Sequence, residues 1–294
     1  MIKKYLLSIF ILLYTTANAG DNTLIIAAAE EPAPQEIVGT PIIRILFQKQ
    51  ENSWIPLNNQ ESQSKLKLKK TDWTIAFDGK NLGTIRSIDD LKSPDCTLCF
   101  PRYKVFRVAN PKSFPKLGNK EQRFSNWAYT PKNRPIVLIN SPNYMDHEHW
   151  KRFYPHKKLI ETLFPKIKEI IKSPYHCNGA PNWNATPINL TENDIDLFRS
   201  YKNKNGALII SAGLSGKHTQ NCDGPTSPTD KPIWFYIDNG IKLIGMELDL
   251  LDAGDYDNDG ETEFVFINSG YNSDGYTLFE SKFSQRTDYY WKYH

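Results

Sequence analysis

The sequence predicts a mainly β protein of antiparallel meanders with one helical insertion. Three observations predict it. Short runs rich in β-branched and aromatic residues recur along the 294 residues, parted by turns containing Asn, Asp, Gly and Pro. Hydrophobic residues make up 39% of the chain, enough for a sizeable core and too many for general disorder. Sustained helical spacing occurs at His156–Lys172, where Leu159, Leu163, Ile167, Ile170 and Ile171 share one face and lysines take the other.

The elements follow in order. Residues 20–40, rich in Ala, Glu and Pro, read as a flexible leader or first edge element. From residue 41 to 294 the pattern is that of a single β-rich domain. Ile42 to Lys49 is apolar, Glu51-Asn52-Ser53 turns the chain, and Trp54-Ile55-Pro56-Leu57 returns. Lys65-Leu66-Lys67-Leu68-Lys69 alternates as a half-buried strand should. Asp78-Gly79-Lys80-Asn81 joins Trp73–Phe77 to Gly83–Ile88 as a hairpin turn. Pro135–Asn140, Ala207–Ala212 and Ile233–Ile237 are further strands. Pro165 predicts a kink or two short helices within 156–172, and residues 173–191 read as loop. The segments beginning Trp73 and Trp234 echo each other, each a Trp-led strand entering an Asp/Gly turn.

Charge excludes one class of function. Lys and Arg number 36 against 33 Asp and Glu, for a formal net charge of +3. Without Lys3 and Lys4 the balance is 34 to 33, far from the basic excess of a nucleic-acid binder. Mean hydropathy is −0.53, and no apolar run reaches the length of a membrane-spanning helix.

The N-terminus predicts export. Lys3 and Lys4, the apolar stretch Tyr5–Tyr14 and Ala17-Asn18-Ala19 form the three regions of a secretory signal peptide, residues 1–19. No Cys follows the cleavage site, so a lipoprotein is not indicated. The signal has a bacterial flavour, which points to the periplasm or to secretion. In an oxidising compartment the even set Cys96, Cys99, Cys177 and Cys222 reads as two disulfides. Local pairing, Cys96 with Cys99 and Cys177 with Cys222, is the expectation. A redox pair at Cys96-Thr97-Leu98-Cys99 and a four-cysteine zinc site are the alternatives; the flanking prolines argue against the helix a redox pair needs.

Asp255-Tyr256-Asp257-Asn258-Asp259-Gly260-Glu261-Thr262-Glu263 carries the most specific chemistry. Oxygen-bearing side chains stand at positions 1, 3, 5 and 9, Gly260 permits a sharp turn at position 6, and the Glu261 carbonyl falls at position 7. Such spacing lets a short loop wrap a hard cation, because Ca²⁺ takes six to eight oxygens. An EF-hand requires a bidentate Glu at position 12, and Phe266 stands there. The flanks alternate as strands: Met246, Leu248 and Leu250 before the loop, Phe264–Ile267 after it. With turns at 272–275 and 285–288 and a terminal Tyr289–Tyr293 strand, the C-terminus reads as a four-stranded meander. An acidic turn without metal is the alternative.

Gly254–Gly260 with Glu263-Phe264-Val265-Phe266 resembles the FG-GAP/VCBS repeats of integrin-α-type β-propellers, over about residues 243–283. The resemblance implies a propeller-like architecture and a structural Ca²⁺ held by the side chains of Asp255, Asp257, Asp259 and Glu263 and the carbonyl of Glu261. No second loop of this kind occurs in the chain, and no Phe-Gly/Gly-Ala-Pro pair accompanies it.

Asp146-His147-Glu148-His149 offers a second candidate, two histidines that would share a face of a strand beside two acids. Gly213–His218 lacks the frames of a nucleophile elbow and of a phosphate-binding loop. The sequence thus predicts an exported calcium-binding protein with a binding or scaffolding role, not catalytic, whose partner is an unknown protein or glycan. The alternative is an exported hydrolase on a β scaffold with His147 and His149 at the active site.

Overall fold

Seven strands of the first half of the chain form one antiparallel sheet that closes on itself. They are β1 (Ile25–Glu30), β2 (Ile42–Gln50), β3 (Ser53–Pro56), β4 (Asp72–Phe77), β5 (Lys80–Asp90), β6 (Val105–Val108) and β7 (Ile136–Ile139). The computed structural model describes residues 23–30, 41–58, 63, 66, 68, 70–90, 105–110, 112, 114, 115, 134–172, 174–176, 186–219, 232–270 and 273–292. The signal segment and Cys96, Cys99, Cys177 and Cys222 lie outside the described residues, as does the turn position Asn272.

The strand order is β1-β7-β4-β5-β6-β2-β3, and β1 also pairs with β2, so six strands make a barrel with β3 appended to β2. Alternation fills it. Ile25, Ala27 and Ala29 point inward with Ile43, Ile45, Trp73, Ile75, Phe106 and Leu138, while Ile26 and Ala28 point outward. Within the 20–40 stretch, Ile25–Glu30 is therefore a strand paired along both edges and buried throughout. Its run of alanines suits a strand crowded on both faces.

Nine further described strands make two more sheets. Sheet two contains β8 (Lys151–Arg152), β11 (Ile195–Lys202), β12 (Leu208–Leu214), β13 (Ile233–Ile237) and β14 (Ile241–Met246), and a small ribbon pairs β9 (Tyr175–His176) with β10 (Thr186–Pro187). Sheet three is a meander of β15 (Leu248–Gly254), β16 (Glu263–Gly270), β17 (Ser273–Glu280) and β18 (Gln285–Lys292).

Sheet three is the middle layer. Leu251, Val265, Ile267, Tyr276, Leu278, Tyr289 and Trp291 pack on the barrel's outer face. Leu248, Leu250, Phe264, Phe266 and Phe279 pack on the other side against Trp234, Ile209 and Tyr236 of sheet two. Burial on both faces explains why Phe264-Val265-Phe266-Ile267 is an unbroken apolar run. Sheet two turns its far face, Ile210, Ala212, Ile233 and Phe235, to the helix α1 (Lys158–Ile170). Ile160, Leu163 and Ile167 are that helix's buried face, each stabilising the packing by about 1.5–3 kcal/mol. The helix continues through Pro165 without dividing, and Glu161, whose carbonyl Pro165 cannot serve, is exposed.

The observed architecture is therefore mainly antiparallel β with a helical insertion, its C-terminal meander as expected and its N-terminal part a closed barrel. Further local expectations differ, beginning with residues 173–191, read as loop, where β9 and β10 pair. Leu66 and Leu68 do not belong to a strand; Leu68 is buried at the barrel and its carbonyl accepts the Ser87 hydroxyl at 2.9 Å. Ser273–Gly275 begins β17 instead of turning, because Gly275 is needed for close approach: a Cβ there would strike the Tyr289 carbonyl and Tyr290. The last turn falls at 281–284, where Ser281, Lys282 and Phe283 all take positive φ. The Asp78-Gly79 turn forms as predicted, with φ of 47° and 70°.

Candidate metal centre

The acidic loop bridges β15 and β16, in the strand–loop–strand setting the sequence predicts. Its entry is fixed by a buried polar cluster. A bulge between Leu250 and Asp252 turns Asp252 inward, where it is 2% exposed. The Tyr256 hydroxyl donates to Asp252 Oδ2 at 2.6 Å, the Tyr144 hydroxyl donates to the same oxygen, and the Gly79 amide donates to Oδ1 at 2.9 Å. Burial pushes the Asp252 carboxyl up to about 6, against the pull of these donors. One carboxylate thereby joins the barrel's β4–β5 turn, the segment before β8 and β15. Gly254 lies against the Tyr144 ring, which leaves no space for a Cβ.

The loop folds around its own carboxylates. Asp255 accepts the amides of Asp259 at 3.1 Å and Gly260 at 2.9 Å, and Asp257 Oδ1 accepts that of Asp259 at 3.2 Å. Glu263 Oε2 accepts the Tyr256 amide at 2.7 Å. Gly260 has φ of +90°, as the sharp turn at position 6 requires. The Asp255 amide donates to the Met145 carbonyl at 2.8 Å, so the loop is anchored to the 144–150 segment from its first residue.

Asp255, Asp257 and Glu263 each present a ligand oxygen within 4.8 Å of the others. Asp259 is outside this group; its side chain accepts the Glu261 amide at 2.7 Å, and both residues are exposed. Three of the four expected side-chain ligands therefore converge. Glu263 is 2% exposed. Burial, then the charges of Asp257, Asp259 and Asp255, push its carboxyl up to about 9, opposed by the Tyr256 amide. Asp255 is raised for the same reasons, burial first. Such a cluster fits a hard cation, which would supply the positive charge that the buried oxygens lack.

Two members of the site were not read from the sequence. Lys49 of β2 places Nζ 2.6 Å from Asp257 Oδ2 and 3.3 Å from Glu280 Oε2. Burial works against this ammonium, but Asp257 and Glu280 outweigh it and raise its pKa. No local pattern could reveal these residues, since Lys49 comes from the barrel packed on sheet three and Glu280 from β17, which pairs with β16. Asp252 did carry a signal: a lone acid within the apolar run Leu250-Leu251-Asp252-Ala253.

The histidine candidate differs from its expectation. Residues 146–149 form a turn, because Asp146 accepts the amides of Glu148 at 3.1 Å, His149 at 2.8 Å and Trp150 at 2.5 Å. His149 takes φ of +57° and is exposed. The strand face that would have aligned the two histidines does not form, and Asp146 is committed to the turn. His147 instead reaches the acidic loop, with Nε2 3.2 Å from Asp255 Oδ2. A cavity of about 190 Å³ flanks the other side of the loop, with Trp150, Tyr236, Phe264, Thr262, Glu148 and Lys282 in its wall.

Among the described residues, no helix is long and apolar enough to cross a membrane. In comparisons with known proteins, no family model, no curated sequence and no solved structure matches this chain.

Proposed function

We propose that this chain is an exported calcium-binding protein with a binding or scaffolding role and no catalytic one. A structural Ca²⁺ at Asp255, Asp257 and Glu263 would pin the turn between β15 and β16. Asp259 and the Glu261 carbonyl complete the ligand set on the resemblance to FG-GAP/VCBS repeats. One observation carries the reading: Glu263 is 2% exposed, accepts the Tyr256 amide and faces Asp255 and Asp257 within 4.8 Å. A carboxyl buried among carboxylates ionises there only with a cation beside it, and the Lys49 ammonium meets Asp257 and Glu280 instead.

The signal-like N-terminus supports the same reading, since extracellular calcium modules work at Kd of about 10⁻⁴–10⁻³ M. Because the loop lies between barrel and sheet two, an ion there would stiffen the junction of the layers. The hydrolase reading is weaker, because the strand face that would align His147 and His149 is replaced by the Asp146 turn. Calorimetric titration of chelator-treated full-length chain with Ca²⁺ tests the proposal. It predicts saturable binding that is lost in Asp255→Asn. Absence of binding, together with no metal in the purified protein, would reduce the loop to an acidic turn.

A further inference from the structure

Lys49 belongs to the barrel, yet its side chain ends on the loop of sheet three. Its ammonium stands 2.6 Å from Asp257 Oδ2, 3.3 Å from Glu280 Oε2 and 5.4 Å from the centroid of the Trp54 ring. The side chains of Lys49, Asp257 and Glu280 are 14%, 6% and 7% exposed. This is not a solvated surface pair, whose charges water would screen. The Trp54 amide also lies 3.5 Å from Glu280 Oε1, and Thr287 donates to the Trp54 carbonyl at 3.1 Å, so the lysine's surroundings are held from both layers.

We infer that Lys49 is a tethered cation that shares Asp257 with the metal and sets how tightly, and at what ionic charge, the loop binds. The inference rests on the calcium reading and adds to it a residue outside the loop. In the metal-free protein the ammonium partly neutralises the acidic cluster and holds barrel and sheet three together. When a metal ion takes an oxygen of Asp257, a fixed positive charge remains on the same carboxylate. Its repulsion weakens binding, and by Coulomb's law the penalty grows with the charge of the ion. Lys49 thus disfavours trivalent ions more than divalent ones and keeps calcium affinity below what the carboxylates alone would give.

The test is calorimetric titration of the full-length chain with Ca²⁺ and separately with La³⁺, for wild type, Lys49→Met and Lys49→Arg. Lys49→Met is expected to tighten Ca²⁺ by about tenfold or more and La³⁺ by a larger factor, while Lys49→Arg stays near wild type. Melting adds a second readout: Lys49→Met melts below wild type in chelator, and the gap narrows in saturating Ca²⁺. A role in packing alone would leave the La³⁺-to-Ca²⁺ affinity ratio unchanged. Wild-type affinity for both ions in Lys49→Met, or equal tightening of both, would overturn the inference while leaving the calcium site intact. If wild type and variants bind neither ion, the calcium reading fails and takes this one with it. Should Lys49→Met prove too unstable to titrate, Lys49→Gln removes the charge while keeping a donor for Asp257 and Glu280.

Discussion

His147 Nε2 lies 3.2 Å from Asp255 Oδ2, so the two segments that the sequence presents as rival sites meet in space. The pair is lopsided, with the histidine side chain 44% exposed and the aspartate 1%. Solvent screens such a contact, and His147→Ala is expected to change stability by less than about 1 kcal/mol. His149→Ala should leave both stability and the calcium response close to wild-type values, since the Asp146 turn uses its backbone amide and its exposed imidazole adds only a solvent-screened attraction to Asp146. Denaturant titrations in saturating Ca²⁺ check both. A large loss from His149→Ala would show that its side chain has a role the Asp146 turn does not require.

Glu30 of β1 and Arg44 of β2 join two neighbouring barrel strands to sheet three. Arg44 Nε and Nη2 donate to the two Glu30 oxygens at 2.8 and 2.9 Å, the Tyr276 hydroxyl donates to Oε1 at 2.5 Å, and the guanidinium lies 5.1 Å from the Trp291 ring centroid. Arg44→Ala leaves Glu30 buried beside one hydroxyl, and the expected cost is about 3–5 kcal/mol. Replacing the set together, Glu30→Leu with Arg44→Met and Tyr276→Phe, should recover most of that loss. Equal losses in the single and triple variants would mean that shape, not charge pairing, governs this contact.

Asp252 predicts a pH dependence. Its carboxyl, raised to about 6 by burial, holds a proton more tightly in the native state than in the unfolded chain, where it titrates near its ordinary value. The native state therefore loses stability relative to the unfolded state as pH rises from about 4 to about 6, by on the order of 2–3 kcal/mol in all. Asp252→Asn removes that contribution, so its stability relative to wild type should improve over this window and level off above it. Unfolding of both proteins at each pH isolates the effect. A difference independent of pH would contradict the assignment.

Gly275 and Gly240 make a contrasting pair. Gly275→Ala is expected to cost about 2 kcal/mol or more, because Tyr289 and Tyr290 of β18 occupy the space of the new Cβ. At Gly240 nothing lies within 4 Å, and the same change should fall within about 0.5 kcal/mol of wild type.

Local chemistry made some of this fold legible. The helix is read as 156–172 and found at Lys158–Ile170, since Leu163 and Ile167 repeat at helical spacing. The Asp78-Gly79 hairpin and the acidic loop carry their geometry in their own residues. Closure of the barrel does not: β1 finds β7 across more than a hundred residues, and nothing in Ile25–Glu30 names Ile136–Ile139 as its partner. The turn at 281–284 was hidden for the opposite reason. Ser281, Lys282 and Phe283 adopt positive φ without glycine or asparagine, so tertiary packing of Phe283 against Phe264 and Phe279 overrides local preference. Lys65–Lys69 shows the converse, an alternating pattern whose Leu68 is buried in the barrel's interior cluster, with Leu66 packed against it, outside any strand. In the candidate site, the loop's own ligands were legible and Lys49, Glu280 and His147's contact were not, because Lys49 arrives from the barrel, Glu280 from β17 and His147 from the segment before β8, all distant in sequence.

The most direct test of the central claim is the melting midpoint of wild type and Glu263→Gln, each in chelator and in millimolar Ca²⁺. Glutamine keeps the shape but cannot ionise to offer a charged oxygen beside Asp255 and Asp257. The account predicts that Ca²⁺ raises the wild-type midpoint by several degrees, through binding to the native state alone. In Glu263→Gln that rise should vanish, while the variant melts at or above wild type in chelator. A wild-type midpoint indifferent to Ca²⁺, or an undiminished rise in Glu263→Gln, would contradict it.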